Sequence, residues 1–229
     1  GFQTYKDQVI LEKDEVLKDD GKPYTVFTPY SRKWKAVLTD FHLKSYPCRK
    51  YARHFLKQEP RPLMGLEAMG FTALGQSFPG KEWKGQTIRN YKEQRDIPSV
   101  QGTSRLSVHL RFGTISIRQL AAEAGGLNET FLNELIWRDF YQMILWHYPH
   151  VVNSAFKPAY DFIPWRNHEE EFRRWCEGNT GYPIVDAGMR ELNTTGFMHN
   201  RVRMITASFL VKHLLLPWQA GAMRCGNPR

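Results

Sequence analysis

Asn128-Glu-Thr-Phe-Leu-Asn-Glu-Leu-Ile-Trp-Arg-Asp-Phe-Tyr-Gln-Met-Ile-Leu-Trp-His147 is the stretch that decides the fold class. Asn128 is a preferred N-cap, and neither proline nor glycine interrupts the chain between it and Pro149. Leu132, Leu135, Ile136 and Met143 share one face at helical spacing and make the expected core surface. Glu134, Trp137, Arg138 and Tyr141 fall at i, i+3, i+4 and i+7 on the opposite face. An acid, an arginine and two polar aromatics form a poor core stripe, because each buried charge needs a partner. That face reads as a pocket or an interface.

The same punctuation repeats outward from this helix. Thr28-Pro29 supplies an N-cap and a proline at N1 for a helix through Leu38. Further helices are expected over 86–95, over 103–113, from Ser116 to Gly125-Gly126, over 169–177 behind an Asn167 cap, from Pro183 to Gly196, and from about 200 to 215. No alternating run of useful length competes, so the chain is expected to be all-α. Residues 1–27, with the turn Asp19-Asp20-Gly21-Lys22-Pro23, read as an extended linker. The prolines and glycines between Pro47 and Gly80 read as a surface wrap.

At 229 residues, 41% hydrophobic and 24% charged, the chain belongs with globular proteins that bury a core. Its net charge of +9 is concentrated in two places. Residues 81–118 hold eight Lys/Arg against three acids, and residues 195–229 hold five against none, leaving −1 for the remainder. Basic residues interleaved with aromatics and hydroxyls point to an anionic partner, nucleic acid first. Cys48, Cys176 and Cys225 are too sparse for a disulfide framework or a zinc pattern, so a reducing, cytoplasmic setting is expected. The most apolar run, 204–218, is broken by Lys212 and His213, and the first residues lack a signal-peptide core. Neither a membrane protein nor a secreted one is expected.

Common catalytic signatures are missing. There is no GxGxxG and no P-loop, and His168-Glu-Glu-Glu-Phe172 lacks the second histidine of a zinc protease; no metal site is expected. Thr103-Ser-Arg-Leu-Ser107 follows Gly102 with three hydroxyls and a guanidinium at an expected helix start. It suits a phosphate cradle and an ordinary cap with a solvated arginine equally well. Asn200, Arg203, Met204 and Ala207 share a face; Met204 is ordinarily core filler, and Arg201 and Arg203 favour a pocket wall. By their local context alone, Trp165 and Trp218 read as packing anchors.

Five motifs nevertheless resemble one family, in its order: Gly102-Thr-Ser-Arg-Leu-Ser107, Leu110-Arg-Phe-Gly-Thr-Ile-Ser116, Asn133-Glu-Leu-Ile-Trp-Arg-Asp-Phe-Tyr141, Gly181-Tyr-Pro-Ile-Val-Asp186 and Met198-His-Asn-Arg-Val-Arg-Met-Ile-Thr-Ala-Ser208. They resemble the DNA photolyase/cryptochrome family, nearest to class I cyclobutane pyrimidine dimer photolyases, whose members flip the damaged pyrimidine dimer out of the duplex. The resemblance implies a multi-helix domain binding flavin adenine dinucleotide (FAD). It places Tyr91, Thr103, Ser104, Arg105, Leu106 and Ser107 at the diphosphate, and Phe131, Arg138 and Arg203 about the flavin. It places Glu134, Trp137, Tyr141, Asn200 and Met204 at the dimer, Arg95 and Arg201 on backbone phosphates, and Trp165 and Trp218 in an electron-transfer chain. Phe131 stands where some relatives have Trp, which keeps an aromatic wall.

The likeness runs from about residue 7 to Trp218, giving a linker remnant over 1–27, a helical domain over 28–218 and a divergent tail over 219–229. The family's antenna domain, with its chromophore, has no counterpart in the sequence, nor do the carboxylates that follow Trp218 in relatives. The resemblance therefore implies a monomeric fragment that acts on damaged DNA only in a longer context and holds FAD weakly alone. A signalling cryptochrome and a flavin-free basic helical module are the alternatives. Trp137 and Met204 speak against the first, and a flavin absorbance scan decides the second.

Overall fold

The computed structural model describes residues 2–3, 5–45, 48–72 and 78–226, with side chains described through residue 222. Its helices are α1 (Phe27–Val37), α2 (Asp40–Leu43), α3 (Gly85–Arg89), α4 (Tyr91–Gln94), α5 (Ser107–Phe112), α6 (Ile117–Leu127), α7 (Glu129–His147), α8 (Glu169–Glu177), α9 (Pro183–Thr195), α10 (Asn200–Ser208) and α11 (Trp218–Gly226). Among the described residues the one strand-like pairing is a bridge between Leu17 and Pro23, which closes the expected turn at 19–23. The fold is all-α, as its sequence periodicity requires. The chain forms two compact units, residues 1–90 with 104–147, and residues 91–103 with 148–229.

In the first unit α7 is the spine. The Asn128 side chain accepts from the Thr130 and Phe131 N–H groups at 3.0 and 3.3 Å, the cap that its sequence position calls for. Helices α1 and α6 pack on α7, and Leu132, Leu135, Ile136 and Met143 are buried. The same helix also buries a charge. Asp139 is 1% exposed; its Oδ2 accepts from the Ile10 and Leu11 N–H groups at 3.1 Å and from Trp34 Nε1 at 3.0 Å. Arg118 donates to the Asp7 and Val9 carbonyls at 3.2 Å, and Arg138 donates to that of Gln8. Residues 7–11 are thus tied to the helices by their backbone, and Val9, Ile10, Leu11 and Val16 are core side chains.

In the second unit α9 lies against α8 and α10 around Trp175, Met189, Val202 and Leu210. A Cβ on Gly188 would sit 2.5 Å from Val202 Cγ1, so the absence of a side chain there sets the close approach of α9 to α10. The Gly181-Tyr-Pro-Ile-Val-Asp186 motif has a structural job. Asp186 Oδ1 accepts from the Thr180 N–H and hydroxyl at 2.8 and 2.6 Å, and Oδ2 from the Gly181 N–H at 2.9 Å, fastening the loop that opens α9. Burial opposes the charge on Asp186, yet these bonds hold its carboxyl below the usual carboxylate range.

Several boundaries differ from the sequence reading. Helix α1 starts at Phe27, placing Thr28 and Pro29 inside a first turn whose N–H groups need no intrahelical acceptor. The expected 86–95 helix is interrupted at Asn90, where the two units also divide. The helix expected from Thr103 begins only at Ser107, because Arg105 has φ 54° and a left-handed residue does not continue an α-helix. Helix α6 runs through Gly125-Gly126 to Leu127. His168, not Asn167, caps α8, its Nδ1 accepting from the Glu171 N–H at 3.2 Å. The helix expected to reach residue 215 ends at Ser208 and continues as a π-helical turn, Phe209–His213. Of the expected tail, 227–229 lie outside the described residues.

Two outcomes test the role of the buried carboxylate. Asp139→Ala leaves three buried donors without an acceptor and should cost at least about 3 kcal/mol in urea unfolding. Burial pushes the Asp139 carboxyl from 3.8 up to about 6, against the hydrogen bonds from Leu11, Trp34 and Ile10. A raised carboxyl stabilises the fold fully below its unfolded value and loses that contribution as pH rises through its folded one. Relative to Asp139→Asn, the native chain should lose about 2–3 kcal/mol of stability between about pH 4 and 7; equal pH profiles would refute the assignment.

Candidate functional site

The polar face of α7 stands in the first unit as an aromatic ledge. Trp137 stacks on Phe27 with centroids 3.7 Å apart and planes at 4°, and Tyr141 lies 5.4 Å away at 25°. Phe140 meets Trp137 edge-on at 5.5 Å. Glu134 and Arg138 are half-buried, while Tyr141 is exposed. Arg138 also donates to the Leu110 carbonyl at 3.1 Å, and burial lowers its pKa below the ordinary guanidinium value. Its cation is therefore fixed in place by the segment around Gln8 and by the end of α5. Phe131 is buried in the first turn of α7. Two turns' worth of sequence thus yields one wall with an acid, a cation and stacked rings.

The second unit carries a charged and a sulfur-bearing patch. Arg95 follows α4, its guanidinium 5.8 Å from the Tyr91 ring centroid. Its Nε lies 3.7 Å from the Asp96 carboxylate, which also accepts a hydrogen bond from Arg201 Nη2. Arg201 Nη1 lies 3.4 Å from the Met204 sulfur, and Asn200 Nδ2 lies 4.0 Å from it. Arg203 is half-buried on the same helix. His199 caps α10, its Nδ1 accepting from the Arg201 N–H at 3.2 Å. Trp165 and Trp218 line one cleft of about 400 Å³ with Phe156 and Tyr160.

Of the expected phosphate cradle, Thr103 belongs to the second unit and Ser104 through Ser107 to the first. A Cβ on Gly102 would meet Gln94 Cβ at 2.5 Å, so the missing side chain lets the backbone before Thr103 lie on the end of α4, the helix that starts with Tyr91. Among the described residues no group of His, Cys, Asp and Glu is placed to hold a metal ion, and no helix is long and apolar enough to cross a membrane.

Comparison with known proteins gives this geometry a context. Residues 131–225 match the FAD binding domain of DNA photolyase. A deoxyribodipyrimidine photo-lyase of Alkalihalophilus pseudofirmus is 38% identical over 96% of this chain and 50% of its own length, and that of Escherichia coli is 39% identical with the same coverage. The crystal structure of a class III photolyase from Agrobacterium tumefaciens superposes with a TM-score of 0.72 at 31% identity, over 97% of this chain and 50% of that one. Over nearly its whole length the chain is similar to members of the DNA photolyase/cryptochrome family.

The chain spans about half the length of the curated relatives it matches. FAD is the cofactor for which the matched domain is described. The residues present fit such a group. The buried Asn133 Oδ1 on α7 has no hydrogen-bond partner among the described residues, and a buried polar atom of this kind is one a polar cofactor satisfies. Sequence reasoning missed Phe27, Asp96, Asp139 and His199. Phe27 and Asp96 carry no motif of their own, whereas Asp139 and His199 stand inside family motifs with no partner visible nearby in the chain.

The Phe27 stack has a direct readout. Phe27→Ala should cost about 1–2 kcal/mol and change the near-ultraviolet circular dichroism of Trp137. An unchanged aromatic spectrum would show that the two rings do not stack in solution.

Proposed function

We propose that this chain carries flavin- and lesion-binding parts of a class I-like photolyase, which repairs cyclobutane pyrimidine dimers in DNA with light. The observation that carries the reading is the α7 ledge, where Phe27 holds Trp137 flat between Glu134 and Tyr141 along the helix. A flat indole set in a row of stacked rings suits an extruded pyrimidine pair, which has π-faces and no sequence to read. Trp137 stacks on the dimer, Glu134 hydrogen-bonds its polar edge, and Tyr141, Asn200 and Met204 contribute walls. Arg95 and Arg201 take backbone phosphates, which positions the DNA without reading bases. Tyr91 and Thr103 through Ser107 hold the diphosphate. Phe131 and Arg203 line the flavin, and Arg138 presents a cation that favours a reduced, anionic ring system. When bound, reduced FAD supplies the photoexcited electron that opens the dimer. Trp165 and Trp218, sharing one cleft, form the protein's electron-transfer pair. The protein works as a monomer in the cytoplasm, a setting that its sparse cysteines suit.

Binding to duplexes with and without a single dimer, with flavin added, tests the reading. Trp137→Ala should weaken binding to dimer-containing DNA by about 1–3 kcal/mol and leave undamaged DNA unaffected. Equal losses on both duplexes would remove the stacking role. Arg95→Ala should reduce the salt slope of binding by about one, and an unchanged slope would move the phosphate surface elsewhere.

A further inference from the structure

Asp96 has no part in the roles assigned above, yet it stands at the centre of the cationic patch of the second unit. Its carboxylate accepts from Arg201 Nη2 and lies 3.7 Å from Arg95 Nε. These are the two guanidinium groups assigned to backbone phosphates. The Arg201 side chain is 38% exposed and that of Asp96 53% exposed, so the pair stands at the surface, where DNA can reach it. The bond to Arg201 holds the Asp96 carboxyl below the usual carboxylate range, so it is ionised wherever DNA binding is measured. Arg201 is in turn set against the Met204 sulfur at 3.4 Å, and Met204 against Asn200. One carboxylate therefore aligns a phosphate-binding cation and, through it, two residues assigned to the lesion.

We propose that Asp96 is an internal stand-in for a DNA phosphate, a positioning residue that makes this surface discriminate damaged from undamaged duplex. The proposal rests on the reading of Arg95, Arg201 and Met204 as a DNA surface. Two effects arise from the geometry, and they act in the same direction. Pairing with Asp96 removes one unit of net positive charge from the patch, which weakens the lesion-independent attraction to any duplex. Holding Arg201 against Met204 keeps the lesion contacts in register before DNA arrives, so less side-chain freedom is lost on forming the specific complex. An ordinary surface ion pair of little consequence would do neither, because its loss moves neither the salt slope nor the ratio of affinities.

The test is fluorescence anisotropy of the full 229-residue chain with undamaged and single-dimer duplexes over a salt series. For Asp96→Asn the affinity for undamaged duplex should rise about threefold at low salt, and the log–log salt slope should steepen by about 0.9. Affinity for the dimer duplex should rise less, so that the ratio between the two duplexes narrows. Asp96→Glu, which restores the charge, should bring the slope back to that of the native chain. An unchanged slope and ratio in Asp96→Asn, with circular dichroism matching the native chain, would overturn the proposal and leave the DNA reading intact. Native chain with no salt-dependent affinity for either duplex would overturn both together.

Discussion

The buried carboxylate of Asp139 is the constraint on which the first unit depends. It sits on the core face of the longest helix and gathers three donors from two distant segments: the backbone of Ile10 and Leu11 and the indole of Trp34. A charge in that position is unfavourable on its own, and burial raises its pKa accordingly. What makes it tolerable is that each donor would otherwise be unsatisfied in the core. The exchange fixes α1 through Trp34 and fixes the N-terminal segment through its backbone. Arg118 and Arg138 add side-chain donors to the neighbouring carbonyls, so the segment is held along both edges of its polar backbone.

The polar face of α7 inherits its geometry from that arrangement. Because α1 is anchored against α7, Phe27 in the first turn of α1 meets Trp137 face to face. Because Arg138 is tied to Gln8 and Leu110, it offers a stationary charge. A mobile surface arginine would lose side-chain entropy on meeting a ligand, whereas a pinned one has lost it on folding. The ledge is therefore preorganised by contacts that lie behind it.

Carboxylates do comparable work in the second unit with different surroundings. Asp186 is buried and fully engaged, and it shapes the loop into α9. Asp96 is exposed and engages two arginines that stand where an anion can reach them. Burial makes the first a structural residue, because its loss would strand donors inside the protein. Exposure makes the second a modulator, because water and salt can replace it at little cost. His199 lies between these cases, with one ring nitrogen capping α10 and the other buried without a partner among the described residues.

The sequence by itself determined the all-helical class, the Asn128 cap, the core stripe Leu132, Leu135, Ile136 and Met143, and the polar face opposite it. Each of these is a local property: a cap acts over three residues and a helical face repeats within two turns. Family motifs added the cofactor and the candidate site residues. The start of α5, the break at Asn90 and the π-helical turn were not legible, because they depend on a left-handed residue at Arg105 and on packing from elsewhere. Nor were the attachment of residues 7–11, the Phe27 stack and the Asp96 bridge. Tertiary structure alone decided these, since each joins groups far apart in the chain. No periodicity records which backbone N–H will face a carboxylate more than a hundred residues away.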